Sequence, residues 1–373
     1  MSSLRKGTNI EVVYHIVFNL IIPIALAIIL FIDTTPFATR LLSLAFSFAV
    51  PETIFEEMLS VENKTEIIDV SQNSSGTFES EHASTIIDSV IPQDISNLIQ
   101  TAEKQYSNSA NDGKIIEMDY SRQNATSEFE NVLLRNTTLN HKVNISDYIN
   151  KKIDADIDVN QPSVLIYHTH GSETYELLDR GYYTKERSSL SENPQENMFR
   201  VGEEICKVLE KNGYKTIHDK TVYDKEYSGA YERSLEGVRN ILKNNPSIQI
   251  VLDVHRDTIY QKDGARIKTV TKIDGNKTAQ LQIISGCEDG NVTDFPNWEH
   301  NFTFALKLQQ AISKKQPEIV RPLLLCSRKY NMHLLPCTLQ IEIGTDANTL
   351  LEAVYSARIF AESLSDLLKE YEA

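Results

Sequence analysis

Three short polar clusters each close an apolar run: VLIYHTHGSET (164–174), IVLDVHRDT (250–258) and LQIEIGTDANT (339–349). Together they supply His168, His170, Glu173, His255, Asp257 and Glu342. Apolar runs of this length ending in ligand-type side chains are expected of buried strands whose carboxyl ends face one crevice, where open α/β sheets place their chemistry. Neutral imidazoles together with carboxylates are the donors of a hydrolytic Zn2+ site.

Each cluster taken alone also has a plainer explanation. In YHTHG, His168 and His170 are two apart, and on an extended backbone they share a face. Both could then reach one ion, or one could hold it while the other supports it. Gly171 allows a tight turn after the strand. Glu173 is a third donor or a cap for the next segment. In DVHRD, Asp253 and His255 share a face, so the carboxylate could orient the imidazole as metal-bound histidines require. Arg256 is expected to point the other way, into an ion pair or toward a substrate carboxylate. Glu342 stands between Ile341 and Ile343. A carboxylate buried there is costly unless paired, metal-linked or protonated, and burial raises its pKa toward that of a general base. Asp346 and Asn348 are expected to cap the last helix.

These clusters need strands to hold them and helices to bury the strands. Strands are expected at 163–168, Lys215–Asp219, Ile248–Val254, 266–273 and 279–285. A helix near 196–212 carries Val201, Ile205, Val208 and Leu209 on one face, with Gly213 as its stop. Tyr231, Leu235, Val238 and Leu242 mark a second helix, and Asn297–Ser313 and Thr349–Leu368 two more. The alternation predicts an α/β fold, a mixed sheet with helices on both faces.

The chain has 373 residues and a formal charge of −15. Between Pro51 and Asn160, 20 Asp/Glu stand against 8 Lys/Arg, so most of the excess lies in the middle of the chain. This balance argues against duplex nucleic acid as a partner. Residues 12–32 are apolar apart from His15 and Asn19, follow Arg5 and Lys6, and are long enough to cross a bilayer. They are expected to form an uncleaved single-pass anchor, with the rest of the chain extracytoplasmic. The expected organisation is a tail and anchor (1–35), an acidic linker or small partner-binding module (36–155) and a catalytic domain (156–373). Cys206, Cys287, Cys326 and Cys337 have no zinc-ribbon spacing and are expected to be small buried hydrophobes.

YHTHGSETY, VLDVHRD, NWEHNFTFALKLQ, RKYNMHL and IEIGTDANTLLEA together resemble the stage II sporulation protein P family over about residues 160–370. The resemblance implies a membrane-anchored, Zn2+-dependent N-acetylmuramoyl-L-alanine amidase that remodels septal peptidoglycan during forespore engulfment. It also implies cleavage of peptide cross-links by some members, and a partner, the lytic transglycosylase stage II sporulation protein D. On this pattern His168, His170 and Glu173 fall in the first metal-binding motif, His255 is the second imidazole ligand, and Glu342 is the catalytic glutamate. The third ligand stays open between His168, Glu173 and Glu196. His333 is a candidate hydrogen-bond donor to substrate, or a core or loop residue. A wall-binding scaffold and a metallo-carboxypeptidase or deacylase are the competing readings.

Overall fold

The computed structural model describes residues 89–372. The anchor expected at 12–32 lies outside them; among the described residues no helix is long and apolar enough to cross a membrane.

The elements run α1 (Gln93–Gln105), β1 (Gly113–Met118), β2 (Ser127–Phe129), β3 (Val132–Asn136), α2 (Ser146–Ile149), β4 (Pro162–Tyr167), β5 (Tyr182–Tyr183) and α3 (Met198–Lys211). After these come β6 (Lys215–His218), α4 (Ala230–Asn244), β7 (Ile250–Asp257), β8 (Arg266–Ile273), β9 (Asn276–Ala279) and β10 (Leu281–Gly286). The chain closes with α5 (Trp298–Lys315), β11 (Leu323–Cys326), β12 (Thr338–Thr345) and α6 (Leu350–Leu368).

Eight strands form one sheet in the order β2-β3-β11-β10-β12-β7-β4-β6. The three cluster-bearing strands are neighbours, and β12–β7 and β7–β4 are both parallel. Their carboxyl ends therefore emerge along one edge, which brings the three polar clusters together.

The alternation of side chains along β4 separates two apolar layers. Val164 and Ile166 pack with Val201, Ile205 and Leu209 of α3 and with α5 and α6. Leu165 and Tyr167 pack on the other face with Val251 and with Val238, Ile241 and Leu242 of α4. Burying each such side chain stabilises the fold by about 1.5–3 kcal/mol. Helices on both faces of a mixed sheet agree with the expectation from sequence.

Residues 113–136, expected in the linker or small module, contribute strands to both sheets. β3 pairs in parallel with β11. β1 pairs with β8 in a smaller sheet of order β5-β1-β8-β9. α1 is tied to α3 by Asp94, whose Oδ2 accepts from Arg200 Nε at 2.6 Å. On β8, Lys268 is fully buried and is neutralised by Asp179 at 2.6 Å and Glu352 at 2.8 Å. All four cysteines are buried.

The start of α6 corrects one expectation. Thr349, not Asp346 or Asn348, caps it, in a reciprocal box with Glu352. Asn348 instead accepts from Thr345 N at 2.9 Å and donates to Glu352 at 2.9 Å. This closes the bulge where β12 ends, with Gly344 at φ +66°. A Cβ on Gly344 would stand 2.7 Å from Asn348 Oδ1 and 2.9 Å from Ala279 Cβ.

Candidate active site

The β7–β12 register pairs Gln340 with Asp253 and Glu342 with His255. Leu339, Ile341 and Ile343 join the core beneath the sheet, so the alternating Gln340 and Glu342 look out on the opposite face, toward α4. Asp253 and His255 have the parity of Val251 and share that face. Four polar side chains thus form a two-by-two array at the mouth of two buried strands.

The two histidines of HTH part company. β4 ends at Tyr167, so the period of two ceases before the motif begins. His168 turns under the sheet against Phe199 of α3. Its Nδ1 donates to Val254 O at 2.7 Å, so in the neutral ring Nε2 accepts, and His218 Nε2 is its donor at 2.9 Å. Both nitrogens of His168 have partners within the protein, and its ring lies on the opposite side of the sheet from His170. Gly202 of α3 lies against this pair, and a Cβ there would stand 2.5 Å from each Nε2.

His170 turns the other way. Its ring stands edge-on to His255, with centroids 5.4 Å apart, and stacks on Tyr227 at 4.7 Å. Glu173 Oε2 lies 3.7 Å from His255 Nδ1. Arg256 fixes the loop that carries Glu173: its backbone N donates to Glu173 Oε2 at 3.3 Å and its guanidinium to Thr174 O at 3.2 Å. It makes the expected ion pair, but with the loop. Glu196 stands apart, held by Arg187 at 3.1 Å and Ser191 at 2.8 Å. Asp257 pairs with Arg321 at 2.8 Å.

His255 Nε2 lies 2.8 Å from Asp253 Oδ1, in a close ionic contact bent away from hydrogen-bond geometry. Asp253 is buried and receives Thr169 N at 2.8 Å and Thr169 Oγ1 at 2.7 Å. Burial opposes the charge on both groups. His255 and the Thr169 donors nevertheless hold Asp253 below its usual pKa, and Asp253, then Glu173 and Glu342, push His255 up to about 10. Burial and the His255 charge lower His170. Burial raises Glu342 to about 7, with Asp257 and Glu173 adding to the rise and His255 opposing it.

Glu342 Oε2 is buried with no hydrogen-bond partner. Such orphans are costly and are retained where chemistry or an ion uses them. Among the described residues no group of three His, Cys, Asp or Glu side chains already converges as a metal cage. The donor types nevertheless fit Zn2+. His170, Glu173 and His255 offer two imidazoles and a carboxylate beside Glu342. Bonds of about 2.0–2.2 Å place neighbouring donors in a tetrahedral shell roughly 3.3–3.6 Å apart, close to the 3.7 Å Glu173–His255 separation.

Tyr231, read from the sequence only as a helix position, and Tyr330 and Asn331 were not singled out there as site residues. Tyr231 of α4 lies parallel to His255 at 6.4 Å and edge-on to His170 at 5.7 Å. Tyr330 packs on Tyr231 at 5.3 Å from a left-handed backbone, φ 41°, and Asn331 follows at φ 58°. Asn331 Nδ2 donates to Tyr231 O at 3.1 Å. His333 packs edge-on against Phe295, where burial lowers its pKa to about 4.

The family model of stage II sporulation protein P matches residues 56–365. Stage II sporulation protein P of Bacillus subtilis (strain 168) is 26% identical over 216 residues, covering 55% of this chain. The match spans 50% of that relative's length. Among solved structures, the N-acetylmuramoyl-L-alanine amidase AmiC2 of Nostoc punctiforme is 14% identical with a TM-score of 0.34, over 56% of this chain and 96% of that one. The CwlD amidase of Clostridioides difficile, solved with the GerS lipoprotein, is 12% identical with a TM-score of 0.35, over 56% of this chain and 98% of that one. By the family model's span over most of its length, the chain belongs to the stage II sporulation protein P family.

Proposed function

We propose that this chain is a Zn2+-dependent peptidoglycan hydrolase that cleaves the amide between the muramic acid lactyl group and L-Ala. The observation that carries the reading is the buried, unpartnered Glu342 Oε2 beside a register-paired His255. Membership of the family supports peptidoglycan as substrate. It also supports a place at the sporulation septum, with the 12–32 segment as membrane anchor and stage II sporulation protein D as partner.

His170, Glu173 and His255 would hold the ion. When bound, it supplies a Lewis acid for the scissile carbonyl and makes water more acidic. The chain's own groups do the rest. Asp253 orients the His255 ring and favours the tautomer that leaves Nδ1 free toward Glu173. Glu342 Oε2 takes a proton from the attacking water as the water oxygen bonds to the carbonyl carbon. Glu342 then gives that proton to the departing amine as the carbon–nitrogen bond breaks. A carboxyl with a pKa near 7 suits both transfers.

The test is mass spectrometry of purified peptidoglycan digested by the full-length protein, with and without Zn2+, beside His255→Ala. Zn2+-dependent release of stem peptides with free L-Ala amines, absent from the variant, is expected. New termini only within cross-links would identify an endopeptidase instead. Muropeptide binding without any cleavage would favour the scaffold reading.

A further inference from the structure

On the reading that Glu342 is the base, we propose that Gln340 and Tyr231 are positioning residues that fix which carboxylate oxygen of Glu342 acts. Gln340 lies two residues before Glu342 on the same face of β12, in the row that ends in the site. Its Nε2 donates to Glu342 Oε1 at 2.6 Å. Its Oε1 accepts from the Tyr231 hydroxyl at 3.2 Å. The result is a directed chain, Tyr231 to Gln340 to Glu342.

The direction is forced by the donor inventory. In the form that acts as base Glu342 is an ionised carboxylate, which only accepts, so it faces the amide NH2 and the amide oxygen is left for a donor. The Tyr231 hydroxyl is that donor. Gln340 is buried, so no bulk water competes for either end of its amide. Glu342 Oε1 is thereby occupied and the carboxylate plane held, while Oε2 is left bare as the oxygen that can meet a water. The same tyrosine ring lies parallel to His255 and edge-on to His170, so one side chain sets the base relative to both imidazoles. Tyr231 is itself held from beyond by Asn331, through its carbonyl, and by the Tyr330 ring.

The test compares full-length wild type, Gln340→Leu, Tyr231→Phe and Glu342→Gln on purified peptidoglycan, with kcat and KM separated and bound zinc measured by mass spectrometry of the metal. Gln340→Leu keeps the shape but not the amide; Tyr231→Phe keeps the ring but not the hydroxyl. Gln340→Leu should lower kcat by roughly 10-fold or more, the loss expected for a hydrogen bond to a charged group, and Tyr231→Phe by roughly 2- to 10-fold, that for a neutral one, with KM and zinc content unchanged in both. In the Glu342→Gln background neither change should lower kcat further, since groups acting as one unit are not additive. Full kcat in both single variants, or losses that add to that of Glu342→Gln, would overturn the proposal and leave Glu342 as the base. Wild-type kcat in Glu342→Gln itself would instead overturn the reading on which it rests.

Discussion

Glu342 and His255 are direct register partners on adjacent parallel strands, so the candidate base and a candidate ligand are set by backbone pairing. Backbone pairing holds them more firmly than loop contacts would, because register is fixed by the apolar residues that alternate with them. Glu173 and His170 are brought to that pair by the loop after β4, which Arg256 ties down.

The parting of the HTH histidines has a measurable consequence. His168→Ala should leave zinc content near that of wild type but destabilise the fold by about 2–4 kcal/mol through a cavity and an unanswered Val254 carbonyl. His170→Ala should do the reverse, losing zinc with a smaller change in stability. His255→Ala should lose zinc and also destabilise the fold, by leaving the buried Asp253 without its cationic partner. Metal analysis beside thermal unfolding decides it; zinc lost from His168→Ala alone would return His168 to the ligand set. Gly202→Ala, which crowds the same pair, should destabilise by about 1–3 kcal/mol.

Acid should weaken the fold through that buried pair. Burial lowers His168 to about 4, and burial with His168 lowers His218 to about 2, both from 6.5. Below pH 6.5 the unfolded chain binds protons that the folded chain refuses, so stability falls as pH drops from 6.5 toward 4. For His168 alone the loss is on the order of 3 kcal/mol. Denaturant unfolding between pH 7 and 4 should show this slope, and His168→Asn should flatten it.

Zinc loading should release a proton. In the metal-free protein the Asp253, Glu173 and Glu342 carboxylates raise His255 to about 10 against the opposing effect of burial, so the ring is charged at pH 7.5. Its contribution to metal-free stability is present below 6.5 and is lost as pH rises through 10. Binding an ion requires the neutral ring, so calorimetry in buffers of different ionisation enthalpy should report about one proton released. Zinc binding with no buffer dependence would contradict the assignment.

The domain boundary can be tested by truncation. A chain begun at residue 156 lacks α1, β1 and β3, which bares the edges of β8 and β11 and strips Asp94 from the buried Arg200. It should melt about 10 °C or more below a chain begun at residue 89, or aggregate through the exposed edges. Equal melting temperatures would make 89–155 an independent module.

The helices and strands from residue 162 onward were largely legible in the sequence, because each carries a clean apolar period. β1 and β3 were not. They are short and partly exposed, they lie in an acidic stretch, and their partners β8 and β11 are far along the chain. His255 and Glu342 could be read because strand alternation runs through them. The alternation in LQIEI also marks Gln340, a signal that was present but unused. The fate of His168 was hidden, since nothing in YHTHG says that the strand stops at Tyr167. Tyr231, Tyr330 and Asn331 reach the site from a helix and a loop, and only tertiary packing brings them there.

The most direct test of the central claim is single-turnover cleavage of purified peptidoglycan by zinc-loaded Glu342→Gln beside zinc-loaded wild type, with the metal quantified in both. Equal zinc and a rate of L-Ala amine release lowered roughly 100- to 10,000-fold are predicted, the range expected for loss of a general base. Equal zinc with an undiminished rate would show that Glu342 is not the base.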